Sequence, residues 1–264
     1  MSYTNYNYEY RRNKISEPSQ LLAASDIFHP TSDQKYMLGC IFDCNDGRRF
    51  RYCEDGGSGM SKATMAQGSA KVDNWMLQVN SSGDDAVVKD THIKVTLTST
   101  RCYKDDFAEG FFIVADTATP LGDMYKIKSN DETGSGLTPI LQIADAGGIR
   151  EAIPKTALLT IVKSKYKDTL VMPAGAATAI PVGIPLVDIT SDYFYWGQTR
   201  GYAPLLIDNS DNIVAGDQIG ETTSSNVAGG GGIHAVTYPI WGVCVVENTS
   251  AQSDQPIIID LQLE

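Results

Sequence analysis

The chain has 264 residues, 42% of them hydrophobic, and a formal net charge of −11. That length buries a real core, in one large all-β domain or two smaller ones. The negative field argues against direct contact with nucleic acid, and no apolar run approaches the roughly 20 residues that span a bilayer, so neither nucleic acid nor membrane is an expected partner.

Residues 1–34 read as an extended N-terminal arm. Tyr3, Tyr6, Tyr8 and Tyr10 alternate with Asn and Glu, and Arg11, Arg12 and Lys14 add positive charge. The segment lacks the apolar stretch of a secretory signal, which points to synthesis in a cytoplasm without that export route. A short helix is expected near Ser16 or Pro18, carrying Leu21, Leu22 and Ala23. Few aliphatic residues are present to form a core, whereas Tyr supplies contact area at low entropic cost. The arm is therefore expected to lie on a neighbouring subunit, with packing on its own domain as the alternative.

The clearest local signal lies between 35 and 53. Leu38–Cys44 and Arg48–Cys53 flank Asn45-Asp46-Gly47, a hairpin signature. A three-residue loop with Gly47 left-handed pairs Phe42 with Phe50, Cys40 with Tyr52 and Asp43 with Arg49. Apolar side chains then share one face and complementary charges the other. A two-residue loop would set Phe42 against Arg51 and is rejected.

Further strands are expected at 72–79, 92–99, 111–115, 124–128, 138–143 and 156–163. In the second, Ile93, Val95 and Leu97 alternate with His92, Lys94, Thr96 and Thr98, so one face is wet. Pro173, Pro181 and Pro185 among Ala and Gly suit a connector over 173–185. Strands resume at 193–198, 202–207, 234–238, 241–247 and 257–263, and the run Gly229–Gly232 reads as a mobile hairpin tip. The fold class is all-β, built of β-sandwich or barrel domains with short hairpins and little helix. The boundaries are the arm at 1–34, an N-terminal β-domain at 35–150, a connector at 151–182 and a C-terminal β-barrel at 183–264.

No stretch carries catalytic chemistry, and no catalytic residue, cofactor site or metal site is assigned. Cys40 and Cys44, four apart on a strand, stand about 13 Å apart at about 3.3 Å per residue. Thiolates sharing one zinc sit within about 4 Å, and Cys53 points to the opposite face. Asp208–Asn212 resembles the start of a calcium loop, but Ile213 and Ile219 occupy the positions where that loop needs Gly and Glu; a polar turn is the better reading, with a weak calcium site as the alternative. The histidines, His29, His92 and His234, are dispersed, and no nucleophile motif accompanies them. Adjacent acids such as Asp84-Asp85 and Asp105-Asp106 point apart on a strand.

Tyr193, Phe194, Tyr195, Trp196 and Tyr202 form the densest aromatic cluster. Alternation sends Phe194 and Trp196 to one face and Tyr193 and Tyr195 to the other. One face is expected to be core; the second, with Tyr202, is a candidate anchor for a partner or a platform for a sugar.

Several segments resemble tailed-phage virion proteins: the hairpin Gly39–Tyr52, Phe107–Val114, Tyr125–Asn130, Pro181-Val182-Gly183, Tyr195–Gly201 and Ala215-Gly216-Asp217. Taken in order across most of residues 38–264, they resemble capsid decoration, or cement, proteins. The resemblance implies a β-rich, non-enzymatic homo-oligomer bound outside the mature capsid, with the major capsid protein as partner and the virion as its location after assembly in the host cytoplasm. Capsid-junction symmetry suggests a trimer. Tyr3, Tyr6, Tyr8, Tyr10, Arg11, Arg12, Tyr193, Tyr195 and Tyr202 are the contact residues expected. The alternative is a receptor- or glycan-binding tail or head-fibre component, although neither an internal repeat nor a heptad is seen.

Overall fold

Alternating apolar residues become strand throughout the described residues, and a 3-10 turn, Asp26–Phe28, precedes the first of them. The structure is a computed structural model that describes residues 26–70, 75–80, 85–98, 101–115, 120–133, 138–174, 177–207, 213–221, 228–234, 239–246 and 255–264. The strands are β1 (Ile41–Asp43), β2 (Arg49–Glu54), β3 (Ala66–Gln67), β4 (Gln78–Asn80), β5 (His92–Thr96), β6 (Phe111–Val114), β7 (Met124–Asn130) and β8 (Ile140–Ile143). They continue with β9 (Leu158–Val162), β10 (Leu170–Val171), β11 (Pro181–Pro185), β12 (Phe194–Leu206), β13 (Gln218–Gly220), β14 (Gly232–Ile233), β15 (Ile240–Val246) and β16 (Pro256–Gln262).

Strands β4–β9 close an antiparallel barrel in the order β4-β5-β8-β7-β6-β9. Its interior is filled by Ile93, Val95, Phe112, Tyr125, Leu141, Leu159 and Ile161, all buried. The remaining ten strands form one sheet, ordered β10-β3-β11-β12-β16-β15-β13-β14, with the β1–β2 hairpin attached to β12. The barrel is thus an insertion between two parts of the chain that build the same sheet. The hairpin, assigned by sequence to the N-terminal domain, pairs with β12; β9, assigned to the connector, completes the barrel. Pairing across the sheet is long-range and leaves no mark in local sequence.

Charged side chains join barrel to sheet. Lys163, just past β9, pairs with Asp168 and with Asp106 at 3.3 Å, its ammonium 5.4 Å from the Trp75 ring. Glu109 accepts hydrogen bonds from the Leu38 N–H and the Gln34 amide.

The hairpin has the expected register, Phe42 opposite Phe50 and Asp43 opposite Arg49, with Gly47 at φ +89°. Asp43 and Arg49 form a fork of hydrogen bonds at 2.6 and 3.2 Å. Elsewhere the structure corrects the reading. The strands expected at 193–198 and 202–207 are one, β12, which runs through a bulge between Gln198 and Arg200. The proline-rich connector contains β11, whose prolines stand at its two ends, beside another bulge. The glycine run is packed: Gly229–Gly232 are buried, and Gly231 faces Leu205, Ile219 and Trp241 so closely that a Cβ there would lie 2.8 Å from Leu205. Among the described residues, no helix is long and apolar enough to cross a membrane.

Candidate functional site

The first half of β12 is enclosed from every side. It pairs with β2 along one edge; along the other, Gly197 and Gln198 pair with β11 and Phe194 with Thr31. Phe194 and Trp196 point into an aromatic layer with Ile27, Phe42, Phe50 and Tyr52. Within it, Trp196 lies 5.1 Å from Tyr52 and 5.3 Å from Tyr36, and Tyr52 stacks on Phe194 at 5.9 Å. Tyr195 points the opposite way, into a layer with Cys53, Met60, Ala66 and Tyr166.

Both faces of this segment are therefore core, which removes Tyr195 as a surface contact. Its hydroxyl sits 2.9 Å from Thr169 Oγ1, and burial pushes its pKa well above the usual phenol range. Tyr193 is half-buried against the same layer. Tyr3, Tyr6, Tyr8, Tyr10, Arg11 and Arg12 lie outside the described residues, as do the helix expected after Ser16, Asp208–Asn212 and positions 235–238. The end of the arm that is described lies on its own sheet. Ile27 is buried in the aromatic layer, and Thr31 exchanges two backbone hydrogen bonds with Phe194.

Past Gly201 the surroundings change. Gly201 holds φ +83° under the hairpin loop, where a Cβ would lie 3.1 Å from the Gly47 carbonyl oxygen. Beyond it β12 pairs with β16, and its outer face opens to solvent. Tyr202 is 64% exposed, opposite Asp260; Pro204 lies opposite Ile258, which in turn lies opposite Val246. Tyr202, Ile258 and Val246 make an exposed apolar stripe across three neighbouring strands. Sequence reading found only Tyr202 of these. The signal for Ile258 was present in Ile257-Ile258-Ile259, since alternation must send the middle residue of a one-sided strand outward.

A pocket of about 460 Å³ lies beside the aromatic layer, lined by Asp26, His29, Thr31, Lys35, Tyr36, Tyr52 and Trp196. The Tyr36 hydroxyl donates to Asp26 Oδ2, and burial together with that carboxylate raises its pKa to about 12. On the outer side of the hairpin, Arg51 forks onto Glu264 and holds its carboxyl below the usual range. Among the described residues no three His, Cys, Asp or Glu side chains converge as metal ligands. Cys53 is buried in the layer beneath Tyr195, and burial takes its thiol pKa to about 12. No protein-family model, curated protein or solved structure matches the chain.

Proposed function

We propose that this chain is a non-enzymatic structural protein of a tailed-phage virion. It binds the outside of the mature capsid as a homo-oligomer and cements neighbouring capsomers. The observation that carries the reading is the exposed stripe of Tyr202, Ile258 and Val246 on three inner strands of the sheet, a stiff apolar surface with a Tyr at its edge. Such a surface suits a contact of the usual size, roughly 800 Å² per partner. The major capsid protein is the partner proposed for it, with the Tyr-rich arm at 1–34 as a second contact.

The mechanism is linkage. A ligand that binds the expanded shell and not the precursor shell stabilises the expanded shell by its differential affinity. Copies bound across capsomer junctions then resist internal DNA pressure without any chemical step.

Co-sedimentation with undecorated precursor and expanded capsids tests this directly. Saturable binding to the expanded shell alone is the expected result. Absence of binding to both shells would overturn the cement role and favour the glycan-binding alternative.

A further inference from the structure

Barrel and sheet have separate interiors. Among the described residues no strand of β4–β9 pairs with a strand of the sheet, and no buried core cluster draws on both. Trp75, Phe107 and Ile161 belong to the barrel core, whereas Tyr166 and Met172, a few residues further on, belong to layers of the sheet. The chain passes between the two bodies after Gln67, the end of β3, and again after Val162, the end of β9. A large shared apolar interface is what fixes two domains in one arrangement; where the cores do not merge, relative motion is the default.

Polar contacts span the boundary, and the backbones that make them are strained. Lys163 Nζ stands between Asp106 of the barrel, at 3.3 Å, and Asp168 of the turn before β10, at 2.5 Å. Glu109 reaches from the barrel to the Gln34 amide at 3.3 Å and to the Leu38 N–H. Glu109 and Asp168 hold φ +63° and +51°, and Asp105, next to Asp106, holds φ +62°. Residues other than glycine keep such a backbone only where their surroundings hold it, and they gather at switch regions.

We infer that the β4–β9 barrel is a hinged unit that turns on its two connections to the sheet, with Lys163 and Glu109 as the clasp that holds the orientation seen. Lys163 is the central member. Its ammonium separates two carboxylates that belong to opposite sides of the boundary, and without it Asp106 and Asp168 face each other as like charges. The stem of Lys163 lies beside the Trp75 ring, so a Met at this position keeps the packing and removes only the charge. Opening the clasp frees the barrel to reorient while the Tyr202 stripe keeps its place on the sheet. The inference does not depend on the capsid reading, because it concerns the free chain and shell binding does not enter its test.

Calorimetry and small-angle X-ray scattering of the full chain test it in two steps. Ile161 and Ile259 are buried in the barrel and in the sheet. If the bodies unfold separately, Ile161→Val should lower one melting transition by about 4–8 °C and leave the other in place. Ile259→Val should lower that other transition, by about 2–4 °C since the body is larger. The double variant Glu109→Ala, Lys163→Met should keep both transitions, yet show a larger radius of gyration and a broader distance distribution than wild type. The inference is overturned if both valine variants move one common transition, or if the folded double variant scatters like wild type.

Discussion

Lys167 Nζ lies 3.1 Å from Glu54 Oε2, and both side chains are nearly closed off from water. The pair ties the turn after the barrel to the end of β2. There the Glu54 carbonyl accepts from both the N–H and the hydroxyl of Thr169, and the Glu54 N–H donates to the Tyr166 carbonyl. Burial raises the Glu54 pKa above its ordinary value, with Lys167 opposing that shift. An acid whose pKa is raised on folding favours the folded state at low pH. Its contribution falls as pH rises from the ordinary carboxylate value through the raised one. Lys167→Met should therefore cost about 3 kcal/mol at neutral pH, because it strands a buried carboxylate. Glu54→Gln leaves the buried Lys167 ammonium without its carboxylate, but the Gln amide oxygen can still accept from it, so this variant should cost less and should remove this group's pH slope. Urea unfolding of both variants across the weakly acidic range checks the order; negligible losses in both would show the two charges to be solvated.

The glycine run makes a second contrast. Gly229 and Gly122 both hold positive φ, +72° and +87°, so alanine meets the same backbone strain at each. At Gly122 nothing lies within 4 Å of the added Cβ, whereas at Gly229 it would stand 2.6 Å from Thr64 Cβ and 3.2 Å from the Met65 nitrogen. Gly229→Ala should exceed Gly122→Ala in destabilisation by about 1–3 kcal/mol, the usual cost of overpacking. Similar denaturation midpoints for the two variants would mean that the run is not held against β3.

How much of this was legible in sequence follows from the range of the interactions. The β1–β2 hairpin could be read to the residue because Asn45-Asp46-Gly47 fixes its turn and Phe42, Phe50 and Tyr52 fix its face. Strand β5 was equally clear, since its alternation is local. The division of the chain was not, because β2 finds β12 some 140 residues away and the barrel closes through β4 and β9. The aromatic segment misled for a related reason. A strand with neighbours on both edges and layers on both faces reads as continuous apolar sequence, and alternation then marks no exposed side. Tyr195 was placed on a surface that the sheet covers, while Tyr202, beyond the bulge, does face solvent.

Five cysteines give a simple probe of the layers. Cys53, Cys102 and Cys244 are buried, and burial raises the thiol pKa of Cys53 to about 12 and that of Cys102 above its ordinary value. Cys40 and Cys44 are only half-buried. Since the thiolate is the reactive form, the buried thiols should label only as fast as the protein opens. Disulfide-exchange titration of the native chain should modify Cys40 and Cys44 first and all five in denaturant. Rapid labelling of Cys53 without denaturant would contradict the packing beneath Tyr195.

Removing residues 1–14 separates binding from folding. Ile27, Thr31 and the aromatic layer remain in place, so the melting temperature should stay near that of the full chain. Occupancy on expanded shells should fall if the Tyr and Arg side chains of that segment touch capsid or a neighbouring subunit. Unchanged occupancy would remove the arm from the contact.

Tyr195 and Tyr202 lie on one strand, yet should behave as opposites. Truncating Tyr195 empties a fully enclosed site and removes one of the two partners of the Thr169 hydroxyl, so Tyr195→Ala should cost about 3–5 kcal/mol, while Tyr195→Phe, which loses only the hydroxyl contact, should cost about 1 kcal/mol. Tyr202→Ala removes a side chain held mainly by solvent and should shift stability by no more than about 0.5 kcal/mol. On the proposed role its effect appears in binding, as lower occupancy on expanded shells at unchanged melting temperature. Melting curves with shell titrations of all three variants distinguish the two positions. Should Tyr202→Ala and Ile258→Asp both leave occupancy intact, the β12–β16 stripe would have no part in capsid contact.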